Sequence, residues 1–202
     1  MKESGITQKV YIYVCETELY GQYDSVPDYC KKEIETVTNK KVVMQKRCAY
    51  GLLRRAAEEV YGCTPDFGTF YKNQAGKPLC HKFHFSISHH DDVVAVCISE
   101  KNVGIDIEER SDKMDDKFFD RILSYEEKCK KESVENDPLK LWTIKEAYHK
   151  FIGVLPIYNP VKLNTTEVNY SSFDLEYRGK EFMISVVSEE IPNIKYINLL
   201  LT

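Results

Sequence analysis

The order of elements readable in this 202-residue chain predicts an α+β fold. Three observations carry that expectation. Helical stretches followed by strands occur twice along the chain, the strands alternate apolar residues at a period of two, and the longer helices end on glycines placed to stop them.

The first strand is expected at 10–14, VYIYV, followed by a short helix over 27–37 and a longer one over 42–61 closed by Gly62. Strands are expected at 68–72, 83–88, 93–99 and 103–109, with Glu100-Lys101-Asn102 turning the last two into a hairpin. Helix returns over 115–133. The next helix, 138–152, has clear ends: Asp137 is a good N-cap, Pro138 suits the first helical position, and Gly153 terminates it. Pro and Asn make 156–164 irregular. Strands close the chain at 172–178, 181–187 and 194–201, the first two joined by the turn Arg178-Gly179-Lys180.

Two strings in this frame carry chemistry. In GIDIE, 104–108, the strand period puts Asp106 and Glu108 on one face and Ile105 and Ile107 on the other. In WTIKEAYHK, 142–150, helical spacing puts Ile144, Tyr148, Phe151 and Ile152 on a packing side with Leu141. Lys145, Glu146, His149 and Lys150 then share an opposite arc of roughly 140°. Hard divalent cations prefer carboxylate oxygens, so Asp106, Glu108 and Glu146 suit magnesium. Lys145 and Lys150 suit the charge stabilisation that phosphoryl-type transfer requires. Each string also has a bland reading, as a solvated sheet face or as an ordinary Glu146–Lys150 helix pair worth a few tenths of a kcal/mol.

Taken together and in this order, the strings resemble the two signatures of the 4′-phosphopantetheinyl transferase superfamily, G-[I/V]-D-x-E and W-x-x-K-E-A-x-x-K. Every fixed position is matched. FSISHH at 85–90 is similar to the F-N-I-S-H-S of the Sfp-type branch, with Ser86 where that pattern has Asn. Gly76-Lys77-Pro78 is similar to its G-K-P, Arg47 to the arginine of its early helix, and FFDRILSYEE at 118–127 to its F-F-s-x-x-E. The resemblance covers roughly 40–153.

The resemblance implies two similar α+β halves related by pseudo-two-fold symmetry, here 1–100 and 101–202. It also implies a monomer that moves the 4′-phosphopantetheine arm of coenzyme A to a serine of an apo acyl or peptidyl carrier protein, releasing adenosine 3′,5′-bisphosphate. Magnesium is expected on Asp106, Glu108 and Glu146. Glu146 is the expected base, and Lys150, with Lys145 beside it, the catalytic cation. Arg47, Ser88 and His89 are expected on coenzyme A phosphates, and Lys77 and Pro78 beside the adenine or its nearby phosphate. A noncatalytic coenzyme A or nucleotide binder derived from this fold is the rival expectation, and an unrelated acidic magnesium protein a third.

Composition agrees with these expectations. A chain of this length that is 43% hydrophobic can bury roughly 70% of its unfolded surface without staples. A formal net charge of −4 argues against general nucleic-acid binding. No apolar run spans a membrane and MKESGITQK has no secretory character, so a cytosolic protein is expected. The seven cysteines lack a C-x-x-C pair and are expected reduced and mostly buried. His81, His84, His89 and His90 cluster, but no spacing matches a closed zinc site; His81 and His90 are expected exposed, and His149 solvent-facing. Trp142 is expected to seal an edge of its helix, and Gly104 to permit a close backbone approach.

Overall fold

Strand β1 (Thr7–Glu16) lies between two cores, and its alternation sorts its side chains between them. Val10, Ile12 and Val14 enter one core, Tyr13 and Cys15 the other. The computed structural model describes residues 6–111, 114–130, 132, 134–153 and 159–200. Helices α1 (Thr17–Tyr20), α2 (Asp28–Thr36) and α3 (Lys40–Tyr61) follow β1. Asn39 caps α3, accepting from the Lys41 N–H, and Gly62 ends it in the left-handed conformation at φ 62°. The small ribbon of β2 (Tyr71–Lys72) and β3 (Pro78–Leu79) comes next.

The first sheet has the order β4-β5-β1-β9, built from β4 (His84–His90), β5 (Val93–Ser99), β1 and the late strand β9 (Ile191–Asn198). Its β9 runs parallel to β1, so a strand from beyond residue 100 completes the sheet begun at the N-terminus. One face packs on α3 through Leu52, Leu53, Phe85, Val94 and Val96. The other face meets the second sheet, of order β6-β8-β7, formed by β6 (Val103–Glu109), β7 (Tyr170–Tyr177) and β8 (Lys180–Ser188). Ala95 and Cys97 there meet Ile105, Ile107, Ile184 and Val186.

Helices α4 (Asp116–Ile122), α5 (Tyr125–Cys129) and α6 (Pro138–Ile152) lie between β6 and β7 in sequence. α6 packs on β6 and β8, burying Leu139, Leu141, Ile144 and Ala147. Its ends are as read from the sequence: Asp137 accepts from the N–H groups of Leu139 and Lys140, and Gly153 adopts φ 61°. The approach of α6 to β6 is set by Gly104. A β-carbon there would stand 2.0 Å from the Ala147 carbonyl oxygen and 2.6 Å from the Phe151 nitrogen. Gly104→Ala is therefore expected to lower unfolding free energy by at least about 1–3 kcal/mol, read by urea denaturation, because the atoms it meets are backbone and cannot swing aside.

Several expected elements change. β5 and β6 do not form a hairpin: β1 and β4 occupy both edges of β5, so Glu100-Lys101-Asn102 carries the chain into the other sheet, where β6 pairs with β8. The expected strand at 68–72 begins instead as a 3₁₀ turn, Phe67–Thr69, because the Asp66 side chain accepts from the Gly68 N–H. The expected helix at 115–133 breaks at Leu123–Ser124, where Ser124 and Glu127 form a reciprocal capping box that starts α5. Residues 131 and 133 of that stretch, 156–158 of the irregular segment and 201 of the last strand lie outside the described residues. Arg178 and Gly179, at φ 51° and 72°, make the expected tight turn between β7 and β8.

Candidate active site

The acidic strand is positioned by its neighbour β4, although the two belong to different sheets. Ser86 Oγ accepts from the Ile105 N–H at 3.2 Å and Ser88 Oγ from the Ile107 N–H at 3.4 Å. These hydroxyls satisfy the β6 edge that β8 does not pair. Ser88 Oγ also donates to Asp106 Oδ1 at 2.8 Å, and Lys150 Nζ donates to the same oxygen at 2.8 Å. Thus β4, β6 and α6 meet at one carboxylate, which is 4% exposed.

Asp106, Glu108, Glu146 and Lys150 line a single cleft of about 400 Å³, together with Ser88 and His89 from β4. The two outer carboxylates are held differently. Glu108 Oε2 lies 2.6 Å from His90 Nδ1, so His90 is a partner of the site rather than the plain exposed residue expected. Contact with Glu108 raises the His90 pKa. Burial first, and then the charges of Asp106 and Glu108, push the Glu146 pKa up to about 6, which the Lys150 ammonium only partly offsets. Burial also raises Asp106, against the pull of Lys150 and Ser88.

These residues fit a hard divalent cation. Asp106 Oδ2 is buried with no hydrogen-bond partner, and surplus negative charge with a spare oxygen is what such an ion relieves. The tightest grouping lies elsewhere: among the described residues, the three ligand groups within 4.8 Å of one another are His90, Asp91 and Glu109. Asp91 and Glu109 already share the ammonium of Lys180.

The remaining expected residues are divided between cleft and frame. His89 stands at the cleft mouth, where desolvation and then the ammoniums of Lys150 and Lys46 lower its pKa. Pro78 lines the cleft and also an adjoining cavity of about 230 Å³. Lys77 borders only that second cavity, and its ammonium is turned onto Asn102 Oδ1 at 2.8 Å and the carbonyls of Val103 and Phe151. Burial lowers it to about 8. Arg47 pairs with Asp24 at 3.2 Å and does not line the cleft, whereas Lys46 beside it does.

Lys145 departs furthest from expectation. Helical spacing put it on the open arc with Glu146, yet it is completely buried and its Nζ donates to Glu127 Oε2 at 2.6 Å. The carbonyl oxygens of Val161 and Leu163 take its other hydrogen bonds. Lys145 is a tie between α6, α5 and the segment before β7, and it offers no charge to the cleft.

His149, expected to face solvent, has a buried Nε2 with no partner and borders the second cavity. Trp142 seals its helix edge against Phe118, ring to ring at 5.9 Å. Sequence reasoning missed Glu33 and Lys72 as cleft residues, because neither lies in a periodic motif.

Comparison with known proteins adds to this geometry. Residues 102–194, which contain both acidic strand and α6, match the model of the 4′-phosphopantetheinyl transferase superfamily. A curated protein from Aneurinibacillus migulanus, 4′-phosphopantetheinyl transferase gsp, is 31% identical over 146 residues, covering 69% of this chain. The match spans 61% of that relative, less than two thirds of its length.

Proposed function

We propose the function of this chain from one premise: its residues 102–194 belong to the 4′-phosphopantetheinyl transferase superfamily. The protein transfers the 4′-phosphopantetheine arm of coenzyme A to a serine hydroxyl of an apo acyl or peptidyl carrier protein. The serine oxygen bonds to the phosphorus that carries the pantetheine, the bond from that phosphorus to the bridging oxygen breaks, and adenosine 3′,5′-bisphosphate leaves. The observation that supports this most is the convergence of Asp106, Glu108, Glu146 and Lys150 on one cleft.

Asp106, Glu108 and Glu146 would hold magnesium, which supplies neutralisation of diphosphate charge when bound. Lys150, already on Asp106, offers its ammonium to the transferring phosphoryl group. Glu146 takes the serine proton, directly or through water; a carboxylate raised to about 6 is ionised at neutral pH yet more basic than usual. Ser88 and His89 donate to coenzyme A phosphates. Pro78 borders the adenosine half, with Lys77 holding the turn behind it, and Arg47 acts as an outer cation behind Lys46.

The division near residue 100 into two halves, with β9 crossing between them, and a monomer acting in the cytosol complete this proposal. Among the described residues no helix is long and apolar enough to cross a membrane.

The test is transfer itself. Purified protein, coenzyme A, magnesium and a panel of apo carrier proteins are expected to yield a carrier heavier by one phosphopantetheine on its serine, read by mass spectrometry. A chelator is expected to abolish the gain and added magnesium to restore it. Tight coenzyme A binding with no transfer to any carrier would favour the noncatalytic reading instead.

A further inference from the structure

Within the cleft, two ammoniums from different elements converge on one carboxylate. Lys46, on α3, pairs with Glu33 Oε2 at 2.6 Å, and Lys72, on β2, pairs with Glu33 Oε1. Lys72 Nζ also lies 5.1 Å from the centre of the Tyr29 ring. All four side chains line the same cleft as Asp106 and Lys150. The three charged ones are 29–35% exposed, so a solute entering the cleft reaches them.

Two cations sharing one monoanion leave a net positive charge, and a phosphate monoester satisfies such a pair better than a carboxylate does. It carries nearly two charges and three acceptor oxygens. A ligand phosphate and Glu33 would thus compete for the same ammonium protons. The donor proposed above bears a phosphate monoester on its ribose in addition to its diphosphate, and this inference rests on that reading.

We propose that Glu33 is a specificity-determining competitor: it occupies, on Lys46 and Lys72, the place of a phosphate monoester, and so weakens the protein's preference for a 3′-phosphorylated donor. Glu33 acts through the two lysines and touches no reacting atom. Its removal frees their charge for the ligand and leaves the diphosphate end of the cleft unchanged.

The experiment is calorimetric titration of the full chain, with magnesium, against adenosine 3′,5′-bisphosphate and adenosine 5′-monophosphate, which differ only in the 3′-phosphate. Glu33→Gln, which keeps the side chain's size, is expected to tighten the bisphosphate about three- to tenfold and to leave the monophosphate within about twofold, the scale of partly exposed ion pairs. Lys72→Gln is expected to weaken the bisphosphate alone. Raising salt should shrink the wild-type difference between the two nucleotides. A Glu33→Gln protein whose bisphosphate-to-monophosphate ratio equals the wild-type ratio overturns the role of Glu33 while sparing the donor assignment. Failure of every protein to bind either nucleotide overturns both.

Discussion

Glu146→Gln is expected to reduce phosphopantetheine transfer by about two to four orders of magnitude while the protein remains folded. The substitution keeps shape and removes one charge from the end of the cleft where Asp106, Glu108 and Glu146 stand beside Lys150, and it takes away the proposed cation ligand and proton acceptor. A second readout separates these losses from simple damage. Because burial and the neighbouring carboxylates raise the folded-state pKa of Glu146 to about 6, the folded chain binds its proton more tightly than the unfolded chain does. The stability this group contributes is therefore present below the ordinary glutamate range and lost as pH rises through about 6.

At pH 7.5 without divalent cation, Glu146→Gln should thus be more stable than wild type, by roughly 1–2 kcal/mol. Magnesium should then stabilise wild type far more than the variant. Thermal unfolding across pH 4.5 to 8, with chelator and with magnesium, checks both signs. A variant that melts below wild type in chelator at pH 7.5, or that transfers at a near-normal rate, contradicts the assignment. The rate for wild type should fall on the acid side as Glu146 gains its proton, with magnesium moving the midpoint below about 6.

The largest stability effect is expected at the buried pair of Lys145 and Glu127. Glu127 is fully buried and accepts from the Lys145 ammonium, the Ser124 N–H, and both the N–H and hydroxyl of Thr165. Burial pushes its pKa up, and these donors more than offset that, holding it below the ordinary glutamate range. Its stabilising contribution is consequently present above that range and lost on acidification.

Removing one partner strands the other's charge where water cannot reach it, so Lys145→Ala or Glu127→Ala should each cost about 3–5 kcal/mol in urea denaturation. The double replacement Lys145→Met with Glu127→Leu should recover part of that loss, since no charge is left alone, but Thr165, Val161 and Leu163 still lose partners. In the folded fraction of Lys145→Ala, coenzyme A affinity should stay within about threefold of wild type, because the ammonium does not reach the cleft. A large loss of affinity with stability intact would return Lys145 to the phosphate contacts.

The contrast between Lys145 and Lys150 shows where sequence reasoning stops. Both sit in one helical motif, and angular spacing alone assigned both to the open side. Lys150 does face the cleft, where its ammonium pairs with Asp106. Lys145 is covered because α5 and the 160–165 segment fold over that flank, and the sequence of α6 contains no trace of what lies on it. The same limit explains the missing hairpin: alternation located β5 and β6 to the residue, but edge occupancy belongs to β1, β4 and β8. Glu33, Lys46 and Lys72 come from three elements with no shared period, so their convergence has no local signature.

By itself the sequence determined the α+β class, the ends of α6 and the close approach at Gly104, because caps and periods are properties of neighbouring residues. Asp106, Glu108, Glu146, Lys145 and Lys150 were joined only by the resemblance of their two strings to one family, and the fold brings all of them but Lys145 to one cleft. Tertiary structure alone decided which lysines face the cleft, that β9 returns to the first sheet, and that serine hydroxyls of β4 hold the acidic strand. Those outcomes depend on contacts between segments far apart in the chain, whose burial and hydrogen-bond partners are settled only when the layers close on one another.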